Sequence, residues 1–217
     1  MKQKYILALI LLPYLAFPNK QIHAFLDQKE KLHLPTWSLQ YEVLPTLLKQ
    51  HFSGKSDIIG VEIGVAFGTH SARLLKEETI VKLYSVNPYL HFKQSEYPDG
   101  MNFNQPIHDV LYKRAKNLLA PFGERSELLR MTSEKAATLF EEASLDFIYI
   151  DGNHTYKHVR KDLNLWWKKV KSGGIFSGDD YPHPGHPGVK KAVDEFLKEK
   201  KLIINTKPLF FWWVIKP

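Results

Sequence analysis

Apolar positions along the chain switch between a helical and a strand-like period, and the switches mark alternating elements. From Leu39 to His51 they recur at helical spacing (Leu39, Val43, Leu44, Leu47, Leu48), which predicts a helix that Pro45 bends or starts. After Ser53-Gly54 comes a short β-branched run, Ile58-Ile59-Gly60-Val61-Glu62-Ile63, ending in Gly64 and followed by helix-like sequence from Thr69 to Lys76. Val81 to Val86 is a second such run, closed by Asn87-Pro88. Residues 88–106 hold several Pro, Gly, Asn and Tyr residues and read as an irregular loop over the domain, before a helix from Ile107 to Leu119. A third strand fits Glu127 to Met131, and a helix follows from Glu134 to Ala143 with Ser133 as its cap. The fourth strand, Asp146 to Ile150, leads into a long helix from Tyr156 to Val170. Ser172-Gly173-Gly174 reads as a turn, Ile175 to Ser177 as the fifth strand, and Gly188 to Lys200 as the next helix. Only a short Pro-containing connection joins Leu202–Ile204 to Phe210–Ile215, so these two pair antiparallel; a parallel pair needs a longer crossover. Five βα units and a terminal hairpin predict an α/β fold, a mostly parallel sheet with helices on both faces.

The N-terminus has a different character. Lys2 and Lys4 precede an apolar run from Tyr5 to Phe17, and Ala24 is a small residue placed for cleavage. Residues 1–24 therefore read as a signal-like segment or an apolar segment that associates with a membrane through residues 5–17. That run is short of the roughly 20 residues a spanning helix needs. Polar residues 25–38, with Pro35, read as a linker, leaving 39–217 as the folded domain. A cleaved segment implies export, and a retained one a cytoplasmic or membrane-associated protein.

The bulk numbers add little. A chain of 217 residues buries one substantial core, and 44% hydrophobic with 24% charged residues is ordinary for a globular protein. The net charge of +7 is spread along the chain, with short clusters (Lys168-Lys169-Lys171, Lys198-Lys200-Lys201) where helix ends are expected. No aromatic and basic recognition module accompanies it, which argues against a nucleic-acid partner. The absence of cysteine excludes disulfides, thiolate zinc sites and cysteine nucleophiles. Oligomeric state is not legible.

Chemistry concentrates at the predicted strand ends, where open parallel sheets bind ligands. Glu62-Ile63-Gly64-Val65-Ala66-Phe67-Gly68 has the form E-x-G-x-x-x-G, and its glycines permit backbone angles and close approaches closed to other residues. That spacing is not the G-x-G-x-x-G of dinucleotide dehydrogenases. Asp151-Gly152-Asn153-His154 ends the fourth strand and Gly178-Asp179-Asp180-Tyr181 the fifth. Three carboxylates on two neighbouring strand ends repel one another unless a proton or a hard cation such as Mg²⁺ compensates.

These motifs, with Pro187-Gly188-Val189-Lys190-Lys191-Ala192-Val193-Asp194-Glu195-Phe196, resemble the class I methyltransferases grouped as methyltransferase domain 24, related to the macrocin-type sugar O-methyltransferases. The resemblance covers residues 39–217 and implies a Rossmann-like seven-stranded sheet with an antiparallel last strand. By it, Glu62, Gly64, Ala66, Gly68 and Asn87 line the methionine and ribose part of S-adenosylmethionine. Met131, Thr132 and Ser133 lie near the adenine, and Asp151 borders the cofactor. Asp151, Asp179 and Asp180 match the Mg²⁺ ligands of the sugar enzymes, and the acceptor is a small hydroxylated, sugar-like molecule. Two positions depart from the family. Asn87 stands where an acidic residue usually takes both ribose hydroxyls, and Asn153 stands where the sugar enzymes carry the Asp that acts as general base. His154 is the nearest replacement base, with His183 and His186 as further candidates and Tyr89, Tyr97 and Tyr181 as walls. The two asparagines, with an export-like N-terminus, also fit a non-catalytic binding protein that kept the fold.

Overall fold

The computed structural model describes residues 19–207 and 210–217, so the charged and apolar start of the targeting-like segment, with its membrane-associating run 5–17, lies outside the described residues. Helices α1 (Asn19–Gln40) and α2 (Val43–His51) precede β1 (Ile58–Ile63), α3 (Thr69–Leu74) and β2 (Ile80–Val86). The chain continues through α4 (Gln105–Leu119), a 3₁₀ turn at Ala120–Arg125, β3 (Ser126–Leu129), α5 (Ser133–Ala137) and β4 (Leu145–Ile150). It ends with α6 (Tyr156–Trp167), β5 (Val170–Gly178), α7 (Pro187–Lys200), β6 (Asn205–Thr206) and β7 (Trp212–Ile215).

The strands form a seven-stranded sheet in the order β3-β2-β1-β4-β5-β7-β6. Pairing is parallel from β3 to β5, and β7 runs antiparallel to both β5 and β6. This is the Rossmann-like arrangement expected. Alternation along β4 sends Ile148 and Ile150 to one core, with Leu163 and Trp166 of α6 and Phe196 of α7. Phe147 and Tyr149 point to the opposite face, onto Leu44 and Leu48 of α2 and Leu74 of α3. Asp146, 2% exposed, binds β1 to β4 and β5 by accepting from Ile59 N at 2.8 Å, Lys55 Nζ at 2.7 Å and Lys171 Nζ at 2.9 Å.

Several expectations need correction. Residues 25–38, expected as a linker, lie inside α1. The predominantly polar sequence hid an apolar stripe: Ile22 and Leu26 are buried with Phe103, Ile107 and Leu111, and Phe25 meets the Phe103 ring edge-on at 5.6 Å. Arg114 of α4 pairs with Asp27 at 2.7 Å on the same contact. The proposed cleavage point, Ala24, thus falls between two residues of a packed helix face. The helix expected from Leu39 begins instead at Val43, with Pro45 in its first turn, where a missing N–H costs nothing. Thr132, not Ser133, caps α5, accepting from Lys135 N at 3.4 Å, and α5 stops at Ala137. Ser172-Gly173-Gly174 is an irregularity within β5, where the register jumps from Leu145↔Val170 to Phe147↔Ile175. The final pair is antiparallel as expected, but its first strand is Asn205–Thr206 rather than Leu202–Ile204, and its second is confined to Trp212–Ile215.

Candidate active site

Strands β2, β1, β4 and β5 end side by side, and a cavity of about 830 Å³ opens over their carboxyl ends. That volume accommodates a cofactor-sized ligand with a small second molecule. The β1–α3 turn forms its floor. Gly64 has φ +92°, and a Cβ there would stand 1.6 Å from the Asp151 carbonyl oxygen, so the approach of β1 to β4 requires glycine. Gly68 (φ +84°) serves a different end: a Cβ there would stand 3.2 Å from Ala115 of α4, and Gly68 does not line the cavity. Ala66, between them, also has positive φ (44°) and lines the cavity.

Glu62, 1% exposed, is held by two donors from α3: the His70 ring at 3.0 Å, and the Ser71 hydroxyl, itself bonded by Ser85 at 2.8 Å. The His70 ring packs between Tyr41 at 4.8 Å and Tyr149 at 4.6 Å. Glu62 is thereby a fixed carboxylate at the cavity wall. Asn87 lines the same wall, its backbone N–H paired with Leu129 O at 3.1 Å.

The carboxylates of β4 and β5 meet around one imidazole. His154 Nε2 lies 3.0 Å from Asp180 Oδ2 and 3.4 Å from Asp151 Oδ1, while Nδ1 lies 2.8 Å from Asp99 Oδ2. Burial alone would lower the His154 pKa, but hydrogen bonds to Asp151, Asp180 and Asp99 hold it well above the usual imidazole range. These bonds favour the imidazolium form of His154, the form with no lone pair to take a proton. Burial pushes the Asp151 carboxyl up to about 6. Asp99 and Asp180 are also raised by burial, yet the His154 hydrogen bond brings each net below the usual carboxylate range. Asp179 behaves differently. Gln40 at the end of α1 donates to its Oδ2, and Oδ1 is buried with no hydrogen-bond partner among the described residues. Burial, with the Asp151 and Asp180 charges, pushes its pKa well up.

Asp151, His154 and Asp180 offer ligand atoms within 4.8 Å of one another. The expected trio of Asp151, Asp179 and Asp180 does not form such a cluster among the described residues; Asp179 Oδ2 instead accepts from Gln40. The carboxylate oxygens of Asp151 and Asp180 and the buried, unpartnered Oδ1 of Asp179 are hard oxygen donors of the kind a divalent cation takes.

Thr132, Ser133, Gly152, His158 and Asp162 also line the cavity. Of the residues singled out from sequence, Glu62, Gly64, Ala66, Asn87, Thr132, Ser133, Asp151, His154, Asp179 and Asp180 line the cavity. Gly68 and Met131 do not; Met131 packs on the main core. His183 and His186 line it, as does Tyr97, whereas Tyr181 turns away and donates to Asp194 at 2.8 Å. Tyr89 is fully buried beneath the floor and donates to Ala66 O at 3.1 Å. The sequence reading missed Gln40, Asp99 and Asp162. Asp99 lay in a Pro-Asp-Gly turn with no signal beyond the turn, and Gln40 was a single polar residue in the helix expected from Leu39. Asp162 carried one: it shares a helix face with Val159, Leu163 and Trp166, a polar residue at a core position.

Residues 61–181 match the family described as methyltransferase domain (Methyltransf_24). The uncharacterized protein R132 of Acanthamoeba polyphaga mimivirus is 25% identical over 175 residues, spanning 79% of this chain and 72% of its own. Among solved structures, the O-methyltransferase NovP superposes with a TM-score of 0.62 at 12% identity, covering 82% of this chain and 79% of its own. The calicheamicin methyltransferase CalS11 superposes with a TM-score of 0.63 at 15% identity, covering 98% of this chain and 90% of its own. At such identities these two likenesses show the fold.

Proposed function

Since the chain belongs to the methyltransferase domain family, we propose that it transfers a methyl group from S-adenosylmethionine to the oxygen of a small hydroxylated, sugar-like acceptor. One observation carries this reading: a single cavity joins the glycine turn after β1 to the Asp151–His154–Asp180 cluster. Cofactor-sized space and hydroxyl-activating groups thus share one wall.

In this reading the methionine and ribose end of the donor lies along Glu62, Gly64, Ala66 and Asn87, and the base lies towards Thr132 and Ser133. Gly68 and Met131 support those contacts from behind. Asn87 offers the ribose an amide in place of a carboxylate, losing charge-assisted hydrogen bonds of about 1 kcal/mol each. Asp151 and Asp180, with Asp179, would hold Mg²⁺, which supplies a Lewis acid that lowers the pKa of the acceptor hydroxyl. His154 presents Nε2 between Asp151 and Asp180 and is the atom assigned to take the hydroxyl proton. It carries a lone pair there only when the surrounding negative charge is offset, so the base and the cation form one hypothesis. Asp99 orients the ring through Nδ1. Alignment of the acceptor oxygen with the sulfonium methyl accounts for most of the acceleration.

The test is calorimetric titration of the full chain with S-adenosylmethionine, with and without Mg²⁺. Micromolar binding supports the reading and justifies an acceptor screen. No binding in either condition overturns it and favours a binding protein that kept the fold without the chemistry.

A further inference from the structure

Three imidazoles, those of His154, His183 and His186, line the cavity together, more than a single proton transfer requires. The His154 and His186 rings lie 4.2 Å apart between centroids, and the His183 ring lies 4.9 Å from that of His186. Backbone packing brings them there. A Cβ on Gly188 would stand 2.9 Å from His154 O, so glycine lets the first turn of α7 close onto the loop after β4 and carries His186 against His154. The loop of residues 88–106 is tied to the same segment, with Asn153 Nδ2 donating to Glu96 O at 3.1 Å. That loop presents Asp99, whose Oδ1 accepts from Met101 N at 2.7 Å and whose Oδ2 lies 2.8 Å from His154 Nδ1. One ligand atom from each of Asp99, His154 and His186 lies within 4.8 Å of the other two.

We propose that Asp99, His154 and His186 bind a transition-metal dication of the Zn²⁺ class, at a site separate from the oxygen donors of Asp151, Asp179 and Asp180. Two imidazoles and one carboxylate suit such an ion, whereas Mg²⁺ keeps to oxygen ligands. The ion takes the place of the proton between His154 Nδ1 and Asp99 Oδ2, and that proton leaves to solvent. Nε2 of His154 keeps its own proton and donates it to Asp180 Oδ2, 3.0 Å away. Asp180 thus backs one ligand and Met101 N–H the other, the support that holds metal ligands in place. Three protein ligands leave a fourth position for water. The ion joins the 88–106 loop, the loop after β4 and the start of α7. A neighbouring set, Asp180, His183 and His186, is equally close, but there His183 Nδ1 already accepts from Gly185 N at 3.0 Å and Asp180 is engaged by His154. The site stands independently of methyl transfer; where that reading holds, an ion on Nδ1 leaves His154 no free lone pair, and Zn²⁺ inhibits.

The experiment is calorimetric titration of the full chain, free of any histidine tag and stripped of metal by a chelator, with zinc chloride near neutral pH. One Zn²⁺ per chain is expected, with a micromolar or lower dissociation constant that millimolar Mg²⁺ does not disturb. Co²⁺ in its place is expected to show the visible absorption of a four- or five-coordinate ion. His186→Ala is expected to weaken Zn²⁺ by at least about 10- to 100-fold, the loss that removal of even a supporting partner causes. His183→Ala and Asp179→Asn are expected to leave it within a factor of a few. Melting curves without metal check that each variant folds. Absence of Zn²⁺ binding, or binding unchanged in His186→Ala, overturns the proposal. So does a matching loss in His183→Ala, which moves the ion to the neighbouring set, or in Asp179→Asn, which moves it to the oxygen donors. No readout involves S-adenosylmethionine, so failure here leaves the methyl-transfer reading standing.

Discussion

At the residue scale the site is governed by how each carboxyl is compensated. Asp162 makes no ion pair among the described residues, and burial pushes its pKa up to about 7, with Glu134 raising it further and Ser133 and Lys161 opposing. A carboxyl whose folded pKa is raised contributes full stability below the unfolded value near 4 and loses it as pH rises through about 7. Asp162→Asn keeps the neutral shape at every pH. It is expected to be more stable than the wild type at pH 8, by up to a few kcal/mol, and equal to it near pH 4; paired melting curves at the two values measure this. His154 is compensated in the opposite sense, by three carboxylates. His154→Ala is expected to reduce methyl transfer by about 10²- to 10⁴-fold while leaving the dissociation constant of S-adenosylhomocysteine within a factor of a few. Full activity in that variant would remove the proton-transfer role.

At the element scale, turns and helix faces separate what is structural from what meets the ligand. Gly64→Ala drives a Cβ onto the Asp151 carbonyl at positive φ, so a loss of about 3 kcal/mol or more is expected. Gly54 has a similar φ of +83° but nothing within 4 Å, and Gly54→Ala is expected to cost only about 1–2 kcal/mol. Urea melts of the two variants separate backbone strain from collision. Helix α1 supplies the other test. Leu26 is fully buried against α4, so Leu26→Ala is expected to destabilise the whole domain by about 2–5 kcal/mol. An unchanged melt would mean that the contact of α1 with α4 is dispensable to the domain.

For the whole molecule, the sheet order places β1 and β4 at the centre, and the cavity lies where their helical connections diverge. A ligand filling that cavity touches the ends of four strands together with the loop carrying Asp99 and the end of α1 at Gln40. It should therefore stabilise the domain as one unit. S-adenosylhomocysteine at about 100 times its dissociation constant is expected to add about 2.7 kcal/mol, read as a single-transition upward shift of the melting temperature. No helix among the described residues is long and apolar enough to cross a membrane.

Local patterns were enough to determine the strand and helix succession, the glycine turn and the acidic strand ends, because periodicity and turn chemistry are written in neighbouring residues. The alternation of Ile148 and Ile150 with Phe147 and Tyr149, for example, marks β4 without reference to any partner. Only the tertiary structure decided which carboxylates share a site. Asp99 reaches His154 across 55 positions, and Gln40 reaches Asp179 across 139, so no local pattern records either pair. The same holds for α1, whose few apolar residues mean nothing until α4 lies against them, and for Gly68, whose motif position fits a cofactor but whose neighbour is Ala115. Long-range packing assigns each polar group its partner, and the partner sets its charge and its role.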